Sequence, residues 1–592
     1  MERKLLLACY EGNVSLLTQL LNENPNLDLN VKENNSISWT PLICACSQGH
    51  FKIVQVLLNE DRARVKGNLE VNVEDNLGRT ALSCVCQNGG LEIVKLLLKN
   101  QLLDVNKPNI TCGWTPLMEA CINGHQEIVE LLLKDKRAKV NLRSNWGWTA
   151  FYHACSKGKM EIVELMLKNE YVDINKAESH FGDTPLMSAC EIGSVIIVKL
   201  LLDDKRIHDI NLRNRLGKTA FYFACKNGNV RLIRLLLSYK NLDVNKEDDQ
   251  GFTPLIQACF HGHLYIVQRL LNDERTECLD INKANKSGWT PLMISCKKGH
   301  FEIAKLLYKD KRSKDLNLVN QFNQTAFHLA CKYGNTKIVK SMLHSKRVNI
   351  NLPNNDGDTP LMSTCHNFHI EIVELLLKDK RIHDLHLENV QGDTVLFIAC
   401  QKRNTQLVAL FLEQRKLDIN EPRANGDTPL IYSCANGYLE IVQLLLNGKK
   451  EIDINLSNNY RKTALQIACE NEEIEILELL VKNKNLDINK ASSDGWTPLM
   501  ISSFLGHLRL VQLLLGSKHE VNINAVNEGN STAFEIAKRE KNHEVAGLLQ
   551  SFQNNPEETK IRIRSQLGWL DSDAAEIYFM IVMFSDGYLD VK

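Results

Sequence analysis

The chain has no surplus of charge of either sign. Its 71 lysines and arginines are offset by 71 aspartates and glutamates, so the formal net charge is zero. A nucleic-acid binder normally carries a basic excess or stripe, so that class of partner is not expected. The sequence also lacks an uninterrupted apolar run of about 20 residues, the length needed to cross a bilayer. The opening MERKLLLACYEGN breaks its brief apolar run at Tyr10 and Glu11 and does not read as a secretory leader. The cytoplasm is therefore the expected compartment, with nuclear entry left open. Catalytic signatures are missing too. No histidine sits in H-E-x-x-H, no serine in G-x-S-x-G, and neither a phosphate-binding glycine loop nor a dinucleotide glycine fingerprint occurs. Motif content thus points to no enzyme, no cofactor and no metal.

What the chain does have is repetition. A T-[PAV]-[LF] tripeptide begins at Thr40, Thr80, Thr115, Thr149, Thr184, Thr219, Thr253, Thr290, Thr325, Thr359, Thr394, Thr428, Thr463, Thr497 and Thr532. Successive spacings are 34 to 37 residues, except for a first spacing of 40. One further unit without the threonine, LLLACYEGNVSLLTQLL, begins the chain. Each unit has the chemistry of a helical hairpin. In GWTPLMEACINGHQEIVELLLKDKR, Thr115 can cap the first helix, and Pro116 falls at the first helical position, where its missing N–H is harmless. Leu117, Ala120 and Cys121 give that helix one apolar face, and Gly124 suits a left-handed end. Ile128, Val129, Leu132 and Leu133 supply the stripe of the second helix. A D-[IV]-N segment, as at Asp173–Asn175, then reads as an extended strand and turn into the next threonine. Helices this short cannot bury their own apolar faces, so the units must stack.

This pattern resembles the ankyrin repeat over roughly residues 1–549, in repeat length, paired helices and the T-P-L signature. The resemblance implies an all-α fold with short β-hairpin fingers, an α-solenoid of about 16 units including caps. Its expected divisions are an N-terminal capping unit (1–36), a central stack (37–531), a C-terminal capping unit (532–551) and a non-repeat tail (552–592) with an apolar helix. One departure stands out. The family usually places His after T-P-L, whereas this chain has it only at His328; Met118, Met187, Met293, Met362 and Met500 are typical instead. Those units are expected to rely more on packing. The helix-ending glycine is replaced at Phe368, Arg403, Glu472 and Lys541, which marks residues 365–410 and 465–480 as weaker stretches.

Most chemically suggestive residues fall into the repeat. Cysteines from Cys9 and Cys46 through Cys469 share one register, six residues after the threonine slot. Neighbouring helices about 8–10 Å apart leave them too distant for disulfides, so they read as small apolar packing residues. Cys44–Cys46 and Cys84–Cys86 lie on helices, where residues two apart diverge, and are not read as metal pairs. The histidines after the helix-ending glycine, among them His50, His125, His263 and His369, are expected to bond neighbouring loops. The KDKR runs ending at Arg137, Arg312 and Arg381 are expected to oppose helix dipoles. Asn323 and Asn530, in N-x-T contexts, read as turn residues tolerating the left-handed conformation.

The position before each threonine is left over. By the resemblance it looks out from the hairpin tip, where protein partners bind. It holds Trp39, Arg79, Trp114, Trp148, Asp183, Phe252, Trp289, Asp358, Asp393, Asp427 and Trp496 among others, including five of the seven tryptophans. Aromatic residues and Arg are enriched at binding hot spots. The expectation is a row of exposed indoles taking an apolar partner segment along Trp39–Trp289, with a basic segment along Asp358–Asp427; the competing reading lays each indole over its own hairpin. A second feature is the tail, where Asp573 and Glu576 resemble a capping box and Ile577–Phe584 is apolar on every face. The 573–587 helix should be buried, by folding back, in a partner or through self-association. The functional expectation is a non-enzymatic scaffold or adaptor for protein partners. The alternative is a substrate-recognition subunit, of a ubiquitin ligase for example, with the tail docking the enzyme.

Overall fold

A computed structural model describes residues 1–24, 27–33, 38–58, 69–272, 279–382 and 384–569. These contain 33 helices, numbered α1 to α33 in chain order, and no strand; one isolated bridge joins Ser457 and Thr463. The D-[IV]-N segments expected as strands are turns, because their hydrogen-bonding groups are taken by side chains rather than by a ladder. The chain forms two compact bodies, Met1–Ser295 with Lys309–Ser313 and Cys296–Tyr308 with Lys314–Lys592. Within each body the helices come in antiparallel pairs. Successive first helices pack on one another closely, and successive second helices more loosely. The 573–587 helix and the long loop expected near Glu274–Cys278 lie outside the described residues.

The pair α7 (Pro116–Asn123) and α8 (Gln126–Lys134) shows how the sequence produces the hairpin. The Thr115 hydroxyl accepts from the Met118 N–H, and the same cap is made by every threonine of the series. Each is worth about 1 kcal/mol to its helix. Gly124 ends α7 at φ 87°. The methionines have a local polar role that the sequence did not suggest. The Thr115, Thr184 and Thr359 N–H groups each point at a methionine sulfur (Met118, Met187, Met362) at 3.4 Å. A thioether is a weak acceptor, and here it completes the cap as Gln466 and Glu535 do in other hairpins. The largest buried side chains include Phe151 and Phe221 in the first body and Phe327, Phe397 and Phe411 in the second. Burying each stabilises by about 1.5–3 kcal/mol.

Neighbouring hairpins are stitched by side chains at fixed register. Asn211 donates to the Asn241 carbonyl at 2.6 Å and accepts from the Asp243 N–H at 2.8 Å. Asn141, Asn317, Asn420 and Asn455 repeat both bonds. The histidines behave as expected: His50, His125, His263 and His369 each reach a carbonyl at the end of the preceding hairpin's first helix. The arginines after Asp-Lys act on a different helix from the one expected. Arg206 forks onto Asp204 and sends Nη2 to the Leu167 carbonyl, the last residue of α10 (Met160–Leu167) in the hairpin before its own. Arg137 and Arg381 do the same to Leu98 and Leu343. They cap orphan carbonyls across the repeat.

At the far end of the second body, α32 (His543–Asn554) is followed by α33 (Pro556–Leu567), which packs on α30 (Leu508–Gly516) and α32. Lys538, Arg539, Glu540 and Lys541 are exposed, as a terminal hairpin requires.

Candidate partner-binding face

The position before each threonine sits at the base of a finger whose geometry is set four residues earlier. At Asp75 the carboxylate accepts from the Arg79 N–H at 2.9 Å, while the Asp75 N–H donates to the Arg79 carbonyl at 3.0 Å. Asp248 holds Phe252, Asn285 holds Trp289, Asn354 holds Asp358 and Asn389 holds Asp393 in the same way. The recurrence of Asp or Asn at this offset was visible in the sequence, and it is the signal that would have located the finger.

None of the column's members is exposed; all are half-buried or buried. The expected row of exposed indoles is thus corrected: Trp39, Trp114, Trp148 and Trp496 each lie against a neighbouring ring. Trp39 lies 6.4 Å from Tyr10. Trp148 stacks on Tyr152 at 5.7 Å, and Trp114 and Trp148 meet His153 edge-on at 5.5 and 5.1 Å. Trp496 meets Phe504 at 5.6 Å. The indole N–H groups of Trp39 and Trp114 have no acceptor among the described residues. The exposed indole of this region is Trp146, two residues before Trp148 and 5.6 Å from it, with 44% of its surface in water.

The acidic members are taken up between fingers. Asp183, Asp358 and Asp427 accept from Asn214, Asn389 and Asn458, each 31 residues on, at 2.6, 2.9 and 2.9 Å. Asp393 meets Arg423 instead, at 3.4 Å, and is fully buried. Burial pushes its carboxyl up, against the pull of the Arg423 guanidinium. Each carboxylate faces an amide or guanidinium of the next finger, so they do not form an open acidic strip.

Two buried titratable groups lie beside the column and were not singled out in the sequence. Glu119 accepts from Asn109 at 3.3 Å, and its carboxyl is pushed up to about 7, chiefly by burial. His153, between the two indoles, is pushed down to about 4 by burial and so is neutral. The cysteine register is buried throughout, and burial raises the thiols, Cys259, Cys400 and Cys469 among them to about 12. Among the described residues no group of His, Cys, Asp and Glu is placed to hold a metal ion, and no helix is long and apolar enough to cross a membrane.

The match to a family model agrees with this architecture. The family described as ankyrin repeats (3 copies) matches in overlapping segments: 5–109, 63–144, 136–214, 197–280, 240–317, 275–351, 311–385, 380–458 and 450–527. A 43-residue stretch is 46% identical to human "Ankyrin repeat and SAM domain-containing protein 3", covering 7% of this chain and 7% of that protein. The crystal structure of the ankyrin repeat domain of Bcl-3, a member of the IkappaB protein family, is similar at 26% identity. That likeness covers 39% of this chain and 99% of the Bcl-3 chain, with a TM-score of 0.35. With segments matched from residue 5 to residue 527, the chain belongs to the ankyrin-repeat family.

Proposed function

We propose that the chain is a non-enzymatic scaffold or adaptor that binds partner proteins along its fingers and first helices. Ankyrin repeats are in general protein–protein interaction modules and typically not catalytic. The observation that carries the reading is the aromatic cluster at Trp146, where an exposed indole is held by Trp148, itself stacked on Tyr152. A large ring immobilised before binding loses little entropy on contact, which is the character of a hot spot. The surface suits an apolar or cationic partner side chain; the paired aspartates give no support to a separate basic segment. Free thiols along the stack support a reducing compartment, and we propose the cytoplasm, with nuclear entry left open.

Quantitative affinity capture with mass spectrometry, comparing the intact chain with Trp146→Ala, tests this. Binding of at least one partner should fall about thirtyfold, the loss of about 2 kcal/mol that marks a hot-spot ring. An unchanged partner set refutes the assignment. Truncation after Trp569 tests the ligase-adaptor alternative, since only that reading has an enzyme leave with residues 570–592.

A further inference from the structure

A pocket among the fingers of the second body carries a chemical preference that the proposed function leaves open. It lies between α27 (Ala464–Glu470), the finger ending at Trp496, and α29 (Pro498–Leu505), with a volume of about 350 Å³. Trp496 and Phe504 supply aromatic walls, their rings edge-to-face at 5.6 Å. Its origin can be read in the repeat. Seven and eight residues after the capping threonine, other first helices end in pairs such as Gln87–Asn88 or Glu470–Asn471. Of these helices α29 alone has two large apolar residues there, Phe504 and Leu505. Both stay in contact with water, at 45% and 38% exposure, so neither serves the core. The finger beside them is held in place. Gln466 donates to the Trp496 carbonyl at 2.8 Å, and the Ser492 hydroxyl accepts from the Trp496 N–H at 3.3 Å. An aromatic wall fixed in this way is organised before anything binds.

The charges around the pocket decide what fits. Lys462, Glu470 and Asp494 line it. The Lys462 ammonium is occupied by Glu470, whose two carboxylate oxygens stand 2.7 and 2.8 Å away, so that pair is neutral. Asp494 is left. Among the described residues its carboxylate accepts from the Ser493 hydroxyl at 2.9 Å and has no ion pair. On the next first helix Arg539 takes the place of Phe504, and Glu540 holds its guanidinium at 3.0 Å. The uncompensated charge at the pocket is therefore one negative.

A neutral apolar side chain seated here would cover Asp494 without pairing it, and the carboxylate would lose water for nothing in return. A cation avoids that loss, and the faces of aromatic rings attract it as well. Arginine suits the geometry best, since its planar guanidinium can lie on an indole while its edge forks onto a carboxylate. We infer that this pocket takes an arginine side chain of a partner protein, held between Trp496, Phe504 and Asp494. The inference rests on the scaffold reading for the partner being a protein, and it specifies the chemistry of one contact.

A random twelve-residue peptide library displayed on phage, selected on the full chain and depleted on Phe504→Gln, isolates ligands of this pocket. Gln87 and Gln401 stand at the same position in other hairpins, so that variant should fold. The recovered peptides should share an arginine. Replacing it with citrulline, which keeps the shape and removes the charge, should weaken binding about tenfold by fluorescence anisotropy. Asp494→Asn should weaken the arginine peptide by a similar factor and leave the citrulline peptide almost unchanged, which couples the two groups. Equal affinity for arginine and citrulline peptides overturns the inference. So does a shared apolar residue whose peptides bind Asp494→Asn more tightly than the native chain, or a selection in which no peptide distinguishes Phe504→Gln. Capture with Trp146→Ala, in the other body, reports on the scaffold reading separately, so the two can fail independently.

Discussion

Glu472→Gly should make the protein more stable, although it deletes a whole side chain. Glu472 ends its helix at φ 58°, Phe368 at 61° and Arg403 at 52°, where most other hairpins have glycine. A non-glycine residue in the left-handed region costs about 1–2 kcal/mol. The greater freedom of glycine in the unfolded chain offsets about 0.5–1 kcal/mol of the relief. The net gain is about 1 kcal/mol, or about fivefold in the local opening constant. Glu472 is the clean test because its side chain is exposed, whereas Arg403 lies over the Tyr438 ring at 5.5 Å and would forfeit that contact. The reverse substitution is Gly334→Ala. Gly334 has φ 72°, and an added Cβ would stand 2.5 Å from the His369 ring, displacing its bond to Lys332. Strain and lost contact together should cost about 2 kcal/mol. Hydrogen exchange resolved by peptide reads both. In the native chain, turns within 365–410 and 465–480 should exchange faster than glycine-ended ones, and Glu472→Gly should slow the latter stretch about fivefold. Uniform protection in the native chain, or no slowing in the variant, refutes the strain argument.

Glu119→Gln should flatten the pH dependence of stability and stabilise the protein most above neutrality. With its folded pKa raised to about 7, the carboxyl favours the fold while protonated, and that contribution is lost as pH rises from about 4.5 through 7. His153 and His328, pushed down to about 4, have the opposite slope, losing stability as pH falls below 6.5. The variant-minus-native difference in urea midpoint at about pH 5 and pH 8 isolates Glu119; equal differences count against it. Arg206→Lys keeps the charge but loses the fork, and should weaken the last turn of α10 by about 1–2 kcal/mol. Unchanged exchange across Leu167–Val172 would show that the Leu167 and Val172 carbonyls do not need the guanidinium.

The elements within one hairpin were legible because their causes are local. Thr115 and Pro116 start a helix, Gly124 ends it, and Cys121 packs where helices approach. What was missed lies between hairpins. The arginine closing a KDKR run is expected to serve the helix just before it, but the Arg137 guanidinium reaches 39 residues back, to the Leu98 carbonyl. The D-[IV]-N motif reads as a strand, but the asparagine of one copy, Asn211, uses its amide to bridge to Asn241 and Asp243. The column of tryptophans was right in position and wrong in exposure, because the ring of Trp148 packs on Tyr152 within its own helix pair, which composition at one position cannot reveal. Trp146 lies outside the repeating column, so the periodicity does not single it out.

The column of buried thiols has a consequence of another kind. Each sulfur of the column is shielded and its thiolate suppressed, so alkylating reagents and oxidants pass this column by while the stack is intact. A hairpin that opens, even briefly, uncovers its own thiol and leaves a permanent mark at one sequence position. The protein thus carries a built-in recorder of where it breathes: tagging at Cys365, Cys400 or Cys469 would write the order in which the stack comes apart.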